Sequence, residues 1–432
     1  MFKLLKDAFK VKDIRSRILF TIGVLFVFRI GSQITVPGIN PAALTELASL
    51  PFFNMLNMVS GSALQQFSVF SMGVSPYITA SIVIQLLQMD IVPKFVEWGK
   101  QGEVGRKKLN QATRWLTLVL GFVQSVGLTA GFNALGSNFK LVQDQSVANY
   151  ALIGLILTAG TMFVTWMGEQ ITDKGIGNGV SLIIFAGIIS RMPHAVNELY
   201  VDMFVNVEKS EILPNVFFAI LLVLAVLIIV TITTFVQQAE RKIPIQYTKR
   251  SAGAPASSYL PLKVNAAGVI PVIFASSFIS TPNAVLQFFQ TKWGGETWYD
   301  TLMSVFSYST VPGAVVYTVL IVAFTFFYAF VQVNPEKLAE NLSKQGSYIP
   351  SVRPGKGTED YVSKLLMRLS TVGSIFLGAI AVIPIIAQML FGLPSSIGLG
   401  GTSLLIVIGV ALETAKQLEG LLLKRKYVGF IN

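Results

Sequence analysis

The chain has 432 residues, of which 53% are hydrophobic and 13% are charged, and it carries a net charge of +11 at pH 7. Its apolar residues occur in long runs rather than in amphipathic periods. This composition excludes a soluble globular protein and predicts a polytopic membrane protein. The chain contains no cysteine, which excludes disulfide and thiol chemistry without identifying the compartment.

Ten stretches of the chain are predicted to span the membrane. Most approach the roughly 20 residues that cross about 30 Å of hydrocarbon, and the others are shorter. Since the bilayer core offers the backbone no hydrogen-bond partners and these runs do not alternate, they predict helices and not strands of a barrel. In chain order the predicted spans are 18–37, 74–89, 114–132, 150–168, 179–192, 215–236, 267–288, 312–332, 370–391 and 398–414.

Lysine and arginine are concentrated on one side of the predicted membrane. Alternate connecting segments hold most of the 33 Lys and Arg residues, and this bias places both termini in the cytoplasm. Residues 1–37 combine a basic start with an apolar run, but they lack the small-x-small pattern of a signal cleavage site. We therefore predict an uncleaved first helix.

The stretch GSALQQFSVFSMGVSPYITASIVIQLL, residues 61–87, interrupts a predicted span with glutamines, serines, a glycine and a proline. The charge bias permits only one crossing here, because a second crossing would move every later basic loop to the outside. A helix over 61–72 would reach only about 18 Å. We therefore predict a short re-entrant helix at 61–72, broken between Gly73 and Pro76 from the crossing helix at 74–89.

Such a segment constrains its surroundings. Irregular backbone survives at membrane depth only inside protein or beside a water-filled cavity. The segment therefore indicates an aqueous pathway through the chain. A re-entrant loop that only fills space is the alternative.

The predicted spans offer little chemistry to a coupled transporter or to an enzyme. An ion-coupled transporter buries Asp, Glu or His at midspan. Here the clearest intramembrane charge is Arg29, and the sole histidine, His194, follows a span. The carboxylates nearest to spans lie at their predicted cytoplasmic ends, where they anchor the interface: Asp90, Glu169 and Glu413.

The glycine-rich motif GIGNGVS at 175–181 resembles a phosphate-binding loop only superficially. It joins two predicted membrane helices, follows no strand and lacks the lysine of a P-loop. We predict a tight cytoplasmic turn in which Asn178 caps the next helix.

Two cytoplasmic loops are long and patterned. In AERKIPIQYTKRSAGAPASSYLPLKV (239–264) the apolar alternation predicts a basic β-hairpin. In NPEKLAENLSKQG (334–346) a helix is predicted, capped by Asn334 and ended by Gly346. SYIPSVRPGKG (347–357) follows as a rigid turn. Basic loops of this kind often only set topology or touch anionic lipid. Their folded shape favours docking of a large partner.

These segments resemble the SecY family, whose members form the pore of the protein-translocation channel. The resemblance runs in order over essentially the whole chain, and overall similarity favours the bacterial form. It is carried by GSALQQFSVFSMGVSPYITASIVIQLL, GIGNGVSLIIFAGI, QQAERKIPIQYTKR, LPLKVNAAGVIPVIFASS, NPEKLAENLSKQGSYIPSVRPG and GGTSLLIVIGVALET.

The resemblance implies an all-α polytopic fold of ten transmembrane helices in two pseudo-symmetric five-helix halves. The halves would be 1–200 and 201–432, the second carrying the cytoplasmic loops 237–263 and 334–368. Internal repetition is not evident in the sequence, so the pseudo-twofold axis is expected from the family. The short re-entrant helix at 61–72 would be a plug that closes the outer funnel.

The resemblance also implies four sets of functional residues. A midmembrane ring of aliphatic side chains would comprise Val74, Ile78, Val180, Ile184, Ile273 and Ile406. The plug would include Gly61, Leu64, Gln65, Gln66, Phe67 and Phe70. A lateral gate between helices 74–89 and 267–288 would include Ile82, Gln85, Asn265 and Pro271. Partners would dock at Arg241, Lys242, Lys249, Arg250, Arg353 and Lys356.

No catalytic residue, metal or cofactor is implied, and the chain is expected to be a passive pore of the bacterial plasma membrane. The implied partners are the membrane subunits SecE and SecG, the SecA ATPase or a ribosome, signal peptides, unfolded preproteins and lipid. Two other classes stay open. A small-solute secondary transporter predicts a compact midmembrane pocket of converging polar groups, and a membrane enzyme predicts a catalytic set.

Overall fold

The structure is a computed structural model that describes residues 2–40, 43–44, 63–64, 66–89, 91–135, 141–205, 212–247, 258–307, 310–391 and 400–428. Helices account for most of these residues. Up to residue 200 they are α1 Phe2–Lys10, α2 Lys12–Gly31, α3 Ser75–Leu87, α4 Pro93–Lys100, α5 Glu103–Leu135, α6 Val147–Lys174 and α7 Gly179–Tyr200. After a π-helical turn at Val201–Val205 follow α8 Ile212–Gln238, α9 Ile270–Phe288, α10 Gln290–Trp293, α11 Thr297–Val305, α12 Val311–Gln332, α13 Pro335–Lys344, α14 Lys356–Phe391 and α15 Gly400–Val428.

Each of the ten predicted spans overlaps one helix of the structure. Within the described ranges, six helices are long and apolar enough to cross a membrane, namely α5, α6, α7, α8, α12 and α14. Helix α3 is apolar but has only 13 residues. The multi-pass membrane fold is thus supported, while the count of ten crossings stays a prediction.

Helix α8 is the most apolar of the six, and only 6% of its most apolar window is buried inside the protein. A helix that is apolar on all sides is stable either inside a large core or in hydrocarbon. Since the protein covers so little of α8, hydrocarbon is the environment that suits it.

Side-chain caps define where several helices begin. The Asn178 side chain accepts the Ser181 backbone N–H at 3.2 Å at the start of α7. The Asn334 side chain accepts the Lys337 N–H at 3.0 Å, with Pro335 opening α13. Gly346, which follows α13, has a φ of 65°. The caps predicted at Asn178 and Asn334 are therefore confirmed, because each satisfies a backbone donor that the first helical turn leaves free.

A three-stranded antiparallel sheet joins the two long loops that were predicted to be cytoplasmic. Strands β1 (Glu240–Tyr247) and β2 (Ser258–Lys263) form the predicted hairpin, which is confirmed. Strand β3 (Ser347–Tyr348) pairs with the other edge of β1, and the Tyr348 hydroxyl bonds to Gln246 Oε1 at 3.0 Å. The third strand was not predicted, because a two-residue strand carries no period.

An apolar cluster fixes this sheet to the helix that follows it. The buried members come from both strands of the hairpin, from the residue after β3 and from the first turns of α14: Ile243, Leu262, Ile349, Val362 and Leu366. The loops are therefore held by a small core of their own, which gives their basic residues a rigid support.

We expect Ile243→Ala to loosen the sheet. Ile243 is 2% exposed, and truncation of a buried isoleucine costs about 2–5 kcal/mol. Limited proteolysis of the protein in lipid nanodiscs should then cleave the 239–264 loop faster than in the parent. Lys242→Ala, which alters the exposed neighbour on the same strand, should leave the cleavage rate unchanged. Equal rates for Ile243→Ala and the parent would show that the apolar cluster does not hold the loops.

Candidate functional site

The six aliphatic residues predicted to form a ring all belong to one large apolar cluster, which has 27 buried members among the described residues. They reach it from four helices, α3 with the residue before it, α7, α9 and α15. Two pairs lie four residues apart and so project from one helical face. The cluster includes Val74, Ile78, Ile184 and Ile273 as buried members, with Val180 and Ile406 packed against it. A constriction lined in this way offers no hydrogen bonds to water or to a passing chain.

The segment predicted to be re-entrant leads directly into this cluster. Its described residues, 63–64 and 66–74, form successive turns instead of the predicted short helix. Phe67 has a φ of 44° and Gly73 a φ of 52°. The Ser71 hydroxyl donates to the carbonyl oxygens of Ala63 and Ser68, at 3.0 and 2.6 Å. Serine side chains that bond to nearby carbonyl groups compete with helical hydrogen bonds, which accounts for the difference.

Extended backbone after α2 supports the segment from one side. Thr35 and Ser68 form an isolated antiparallel bridge. The Val36 N–H donates to the Phe67 carbonyl at 3.0 Å, and the Val69 N–H donates to the Ile34 carbonyl at 2.9 Å. The segment thereby satisfies backbone groups that hydrocarbon would leave without partners.

The predicted plug residues differ in their environment. Leu64, Phe67 and Phe70 are buried, whereas Gln66 is exposed. The Phe70 ring stacks between those of Phe28 and Phe163, with centroid distances of 6.0 and 5.9 Å. Gly61 and Gln65 lie outside the described residues.

Helix α6 approaches this segment very closely at Gly160. A Cβ atom on Gly160 would overlap the carbonyl oxygen of Val69. The neighbour is backbone, so it cannot rotate away. The absence of a side chain at Gly160 therefore allows the segment to lie against α6.

The two helices of the predicted lateral gate, α3 and α9, are in contact. Ile82 is buried on α3, and Pro271 is buried near the start of α9. The two polar candidates do not bond across the contact. Gln85 Nε2 donates to Ser81 Oγ at 3.1 Å on its own helix, and Asn265 Nδ2 donates to the Gly268 carbonyl at 2.9 Å.

A polar bond next to this contact joins α5 to α9. Gln124 Nε2 donates to Thr281 Oγ1 at 3.2 Å, and Gln124 is 5% exposed. The sequence did not predict that these two side chains bond to each other. The available signal was a glutamine inside the apolar run 114–132, but its partner is 157 residues away in the chain.

The predicted docking residues that the structure describes are all exposed. Arg241 and Lys242 lie on β1, and Arg353 and Lys356 lie on the turn before α14 and at its first residue. Because β1 pairs with β3, the two sets of basic residues belong to one folded surface. Lys249 and Arg250 lie outside the described residues.

Helix α13 contributes an exposed ion pair to the same loop region. Lys344 Nζ lies 2.6 Å from Glu340 Oε1. The hydrogen bond from Lys344, together with its charge, holds the pKa of the Glu340 carboxyl below its usual value. This pair is solvated and four residues apart, so it contributes little beyond support of its helix.

A polar cavity of about 240 Å³ opens among helix ends rather than at midspan. Its lining includes the side chains of Asn178, Gln237, Lys263, Gln332 and Lys416. These residues lie where α7 begins, at the ends of α8, β2 and α12, and near the middle of α15. A solute transporter predicts converging polar groups at midmembrane, and this position differs from that. Among the described residues, no group of three or more His, Cys, Asp or Glu residues forms a metal site.

Comparison with known proteins finds matches over the whole chain. The SecY family model matches residues 68–415. The chain is 64% identical over 432 residues to the protein translocase subunit SecY of Lactococcus lactis subsp. lactis, covering 100% of this chain and 98% of that protein.

Two solved structures share the fold at lower identity. A protein conducting channel aligns with a TM-score of 0.64 at 17% identity, covering 94% of this chain and 91% of that one. Sec61 in the canine ribosome-channel complex from the endoplasmic reticulum aligns with a TM-score of 0.60 at 17% identity, with the same coverage of 94% and 91%.

We expect Gly160→Ala to displace the re-entrant segment, because the added Cβ overlaps the Val69 carbonyl. The chain has no cysteine, so Met72→Cys, at a residue of the same segment that is 7% exposed, provides a single reporter. Maleimide should label that cysteine about ten-fold faster in the Gly160→Ala background, since overpacking costs about 1–3 kcal/mol.

Gly23→Ala in the same Met72→Cys background is the matched control, because nothing lies within 4 Å of a Cβ placed at Gly23. It should label like the parent. If Gly160→Ala also labels like the parent, the close approach of α6 does not hold the segment.

Proposed function

Since this chain belongs to the SecY family, we propose that it is the central channel subunit of a protein translocase, a passive pore for unfolded polypeptides. Its 64% sequence identity to a translocase subunit over 432 residues supports this assignment. The observation that carries it is that six aliphatic side chains from four helices belong to one apolar core, and that the segment predicted to be re-entrant leads into this core.

In this proposal the six aliphatic residues of the predicted ring form the narrowest part, or waist, of the channel. An apolar constriction dewets when it is empty and so resists the flow of water and ions. It also offers no fixed hydrogen bonds, so a polypeptide of any sequence slides through. The pairs Val74 with Ile78 and Val180 with Ile184 would each supply two neighbouring contacts from one helix.

The re-entrant segment would be the plug that closes the outer side. Its contacts include side-chain stacking at Phe70 and a short backbone bridge at Ser68, which separate without breaking a helix. A plug has to be stable in its closed position, and its displacement has to cost little free energy. Turns held by local serine bonds suit both demands, because they keep many of their bonds when the segment moves.

The contact between α3 and α9 would be the lateral exit toward lipid. Each Leu, Ile, Phe or Val of a nascent transmembrane segment gains about 0.3–0.6 kcal/mol on insertion at a helix centre. Summed over a span, this gain favours exit sideways. The bond between Gln124 and Thr281 would be a polar link that parts when α9 moves away from α5.

The chain would do no covalent chemistry, so partners must supply the energy. We propose that the SecA ATPase or a translating ribosome docks on the surface formed by β1, β3 and the turn at Arg353. SecE and SecG would be the membrane partners. The membrane would be the bacterial plasma membrane, with both termini in the cytoplasm and the two halves at 1–200 and 201–432.

Ile406→Asn tests the apolar waist. Purified protein and its membrane partners are reconstituted into proteoliposomes, and ion conductance is measured together with SecA-driven export of a preprotein into a protease-protected space. We expect conductance to rise several-fold while export continues, because an amide side chain wets the constriction.

Ile406→Leu is the matched control for this experiment, since it keeps the side chain apolar. It should conduct as little as the parent. Unchanged conductance in Ile406→Asn would contradict the waist, whereas absence of export by the parent with SecA, SecE and SecG would contradict the channel itself.

Arg353→Glu tests the docking surface. Reversal of an exposed charge at an interface weakens association with a complementary partner. We expect SecA-driven export to fall about ten-fold with the same amount of protein in the membrane. Lys107→Glu reverses another exposed charge, on α5, and should retain parental export. Parental export by Arg353→Glu would exclude the turn as a docking point.

A further inference from the structure

The glycine-rich turn between α6 and α7 is held by side chains from three different helices. The Ile176 N–H donates to Thr21 Oγ1 of α2 at 3.1 Å. The Gly179 N–H donates to Thr172 Oγ1 of α6 at 2.9 Å. The Gly177 N–H donates to Gln417 Oε1 of α15 at 2.6 Å. The turn therefore receives its acceptors from side chains far apart in the sequence and binds no phosphate with these donors.

One of the three bonds differs from the other two. Thr21 and Thr172 belong to the same proposed half of the chain as the turn, whereas Gln417 lies 240 residues after Gly177 in the other half. Gly177 has a φ of 85°, and a Cβ atom there would lie 3.1 Å from Thr414 Oγ1. The backbone of the turn thus lies directly against α15.

Apolar side chains reinforce the same junction. Ile176 of the turn is buried in a cluster with Leu418 of α15 and Ile14 of α2. Apolar contacts are not directional and tolerate sliding. The bond to Gln417 is directional, so it fixes the position of α15 along the turn.

We propose that Gln417 is a latch residue that holds the two halves together at the turn 175–178 when the channel is closed. The inference rests on the proposed function, because the latch has a role only if the halves part. Gln417 is a positioning residue here, since it acts through the Gly177 backbone and touches no translocating chain.

The buried position of Gly177 gives the latch its energetic asymmetry. Gln417 itself is exposed, and its Oε1 is the acceptor that pairs with the buried residue Gly177. If Gln417→Leu replaces that acceptor with an apolar group, the Gly177 N–H is left without this partner in the closed state. When the halves part, water reaches that N–H and satisfies it. Loss of the acceptor therefore destabilises the closed state more than the open one, and the equilibrium shifts toward the open one.

The experiment uses two substitutions that each remove one acceptor from the turn. Gln417→Leu removes the acceptor that comes from the other half. Thr21→Val removes the acceptor of the Ile176 N–H within the same half, at nearly constant volume. Gln417→Glu keeps an oxygen acceptor at the same position and serves as the conservative rescue.

Distances between the halves report the outcome without any need for transport. Because the chain has no cysteine, Asn110→Cys on α5 and Lys364→Cys on α14, both exposed, carry nitroxide labels for double electron–electron resonance. The full chain is measured in lipid nanodiscs with its membrane partners. We expect Gln417→Leu to raise the population with longer distances about five-fold, as loss of one such bond predicts.

Thr21→Val and Gln417→Glu should both keep the parental distance distribution. Equal widening in Thr21→Val and Gln417→Leu would overturn the proposal, because the folding of the turn would then matter rather than its link to α15. A parental distribution in Gln417→Leu would overturn it as well.

The same variants in proteoliposomes separate this inference from the proposed function. If the parent fails to export a preprotein with its partners, the proposed function fails, whatever the distances show. If the parent exports and Gln417→Leu neither raises ion conductance nor changes the distances, only the latch fails.

Discussion

Hydrocarbon offers no hydrogen bonds, so a chain that leaves helical geometry inside a membrane must find partners for every backbone donor and acceptor. The described residues 63–64 and 66–74 find such partners in two ways. Part of the segment pairs with the extended backbone at Ile34–Val36, and part is held by the Ser71 hydroxyl bonding to carbonyl groups of its own turns. Neither of these depends on a continuous helix. The segment therefore forms an element that enters the fold, stays satisfied and remains separate from α3.

The rest of the proposed site depends on that separation. The break at Gly73 places Val74 at the start of α3, while Phe70, which belongs to the same apolar cluster, stacks between Phe28 and Phe163. Gly160 gives the segment room against α6. The segment and the first two residues of the predicted ring, Val74 and Ile78, are thus close together in the chain. A displacement of the segment would therefore be transmitted to them through very few residues. A continuous helix through this region would instead couple the segment rigidly to the proposed gate helix α3.

The features that could be predicted from the sequence are those with a local physical signal. Asn334, Pro335 and Gly346 mark the ends of α13 by capping chemistry, and alternation around Ile243 predicts the hairpin. The bonds that join distant helices could not be predicted, because one glutamine in an apolar run does not reveal its partner. Gln124 meets Thr281 only after α5 and α9 pack together.

The prediction of a helix at 61–72 was wrong for the residues that the structure describes. Helix length and charge bias limit how often the chain can cross the membrane, but they do not reveal that serine side chains bond to nearby carbonyl groups and favour turns. The grouping of the six aliphatics was expected from the family resemblance, since isolated valines and isoleucines carry no such signal.

Two of the described hydrogen bonds, Gln124 to Thr281 and Gly177 to Gln417, join the proposed halves, and they differ in a way that bears on how the channel opens. At Gln124 and Thr281, both partners are side chains, and each can rotate to water or to another polar group when the helices part. At Gly177 and Gln417, one partner is a main-chain N–H whose direction is fixed by a tight turn, so it cannot follow α15. A pair of two side chains can adjust at both ends, whereas the bond at the turn can adjust only through the Gln417 side chain. In the proposed channel the bond at the turn would therefore tolerate less movement of the halves than the bond beside the lateral exit.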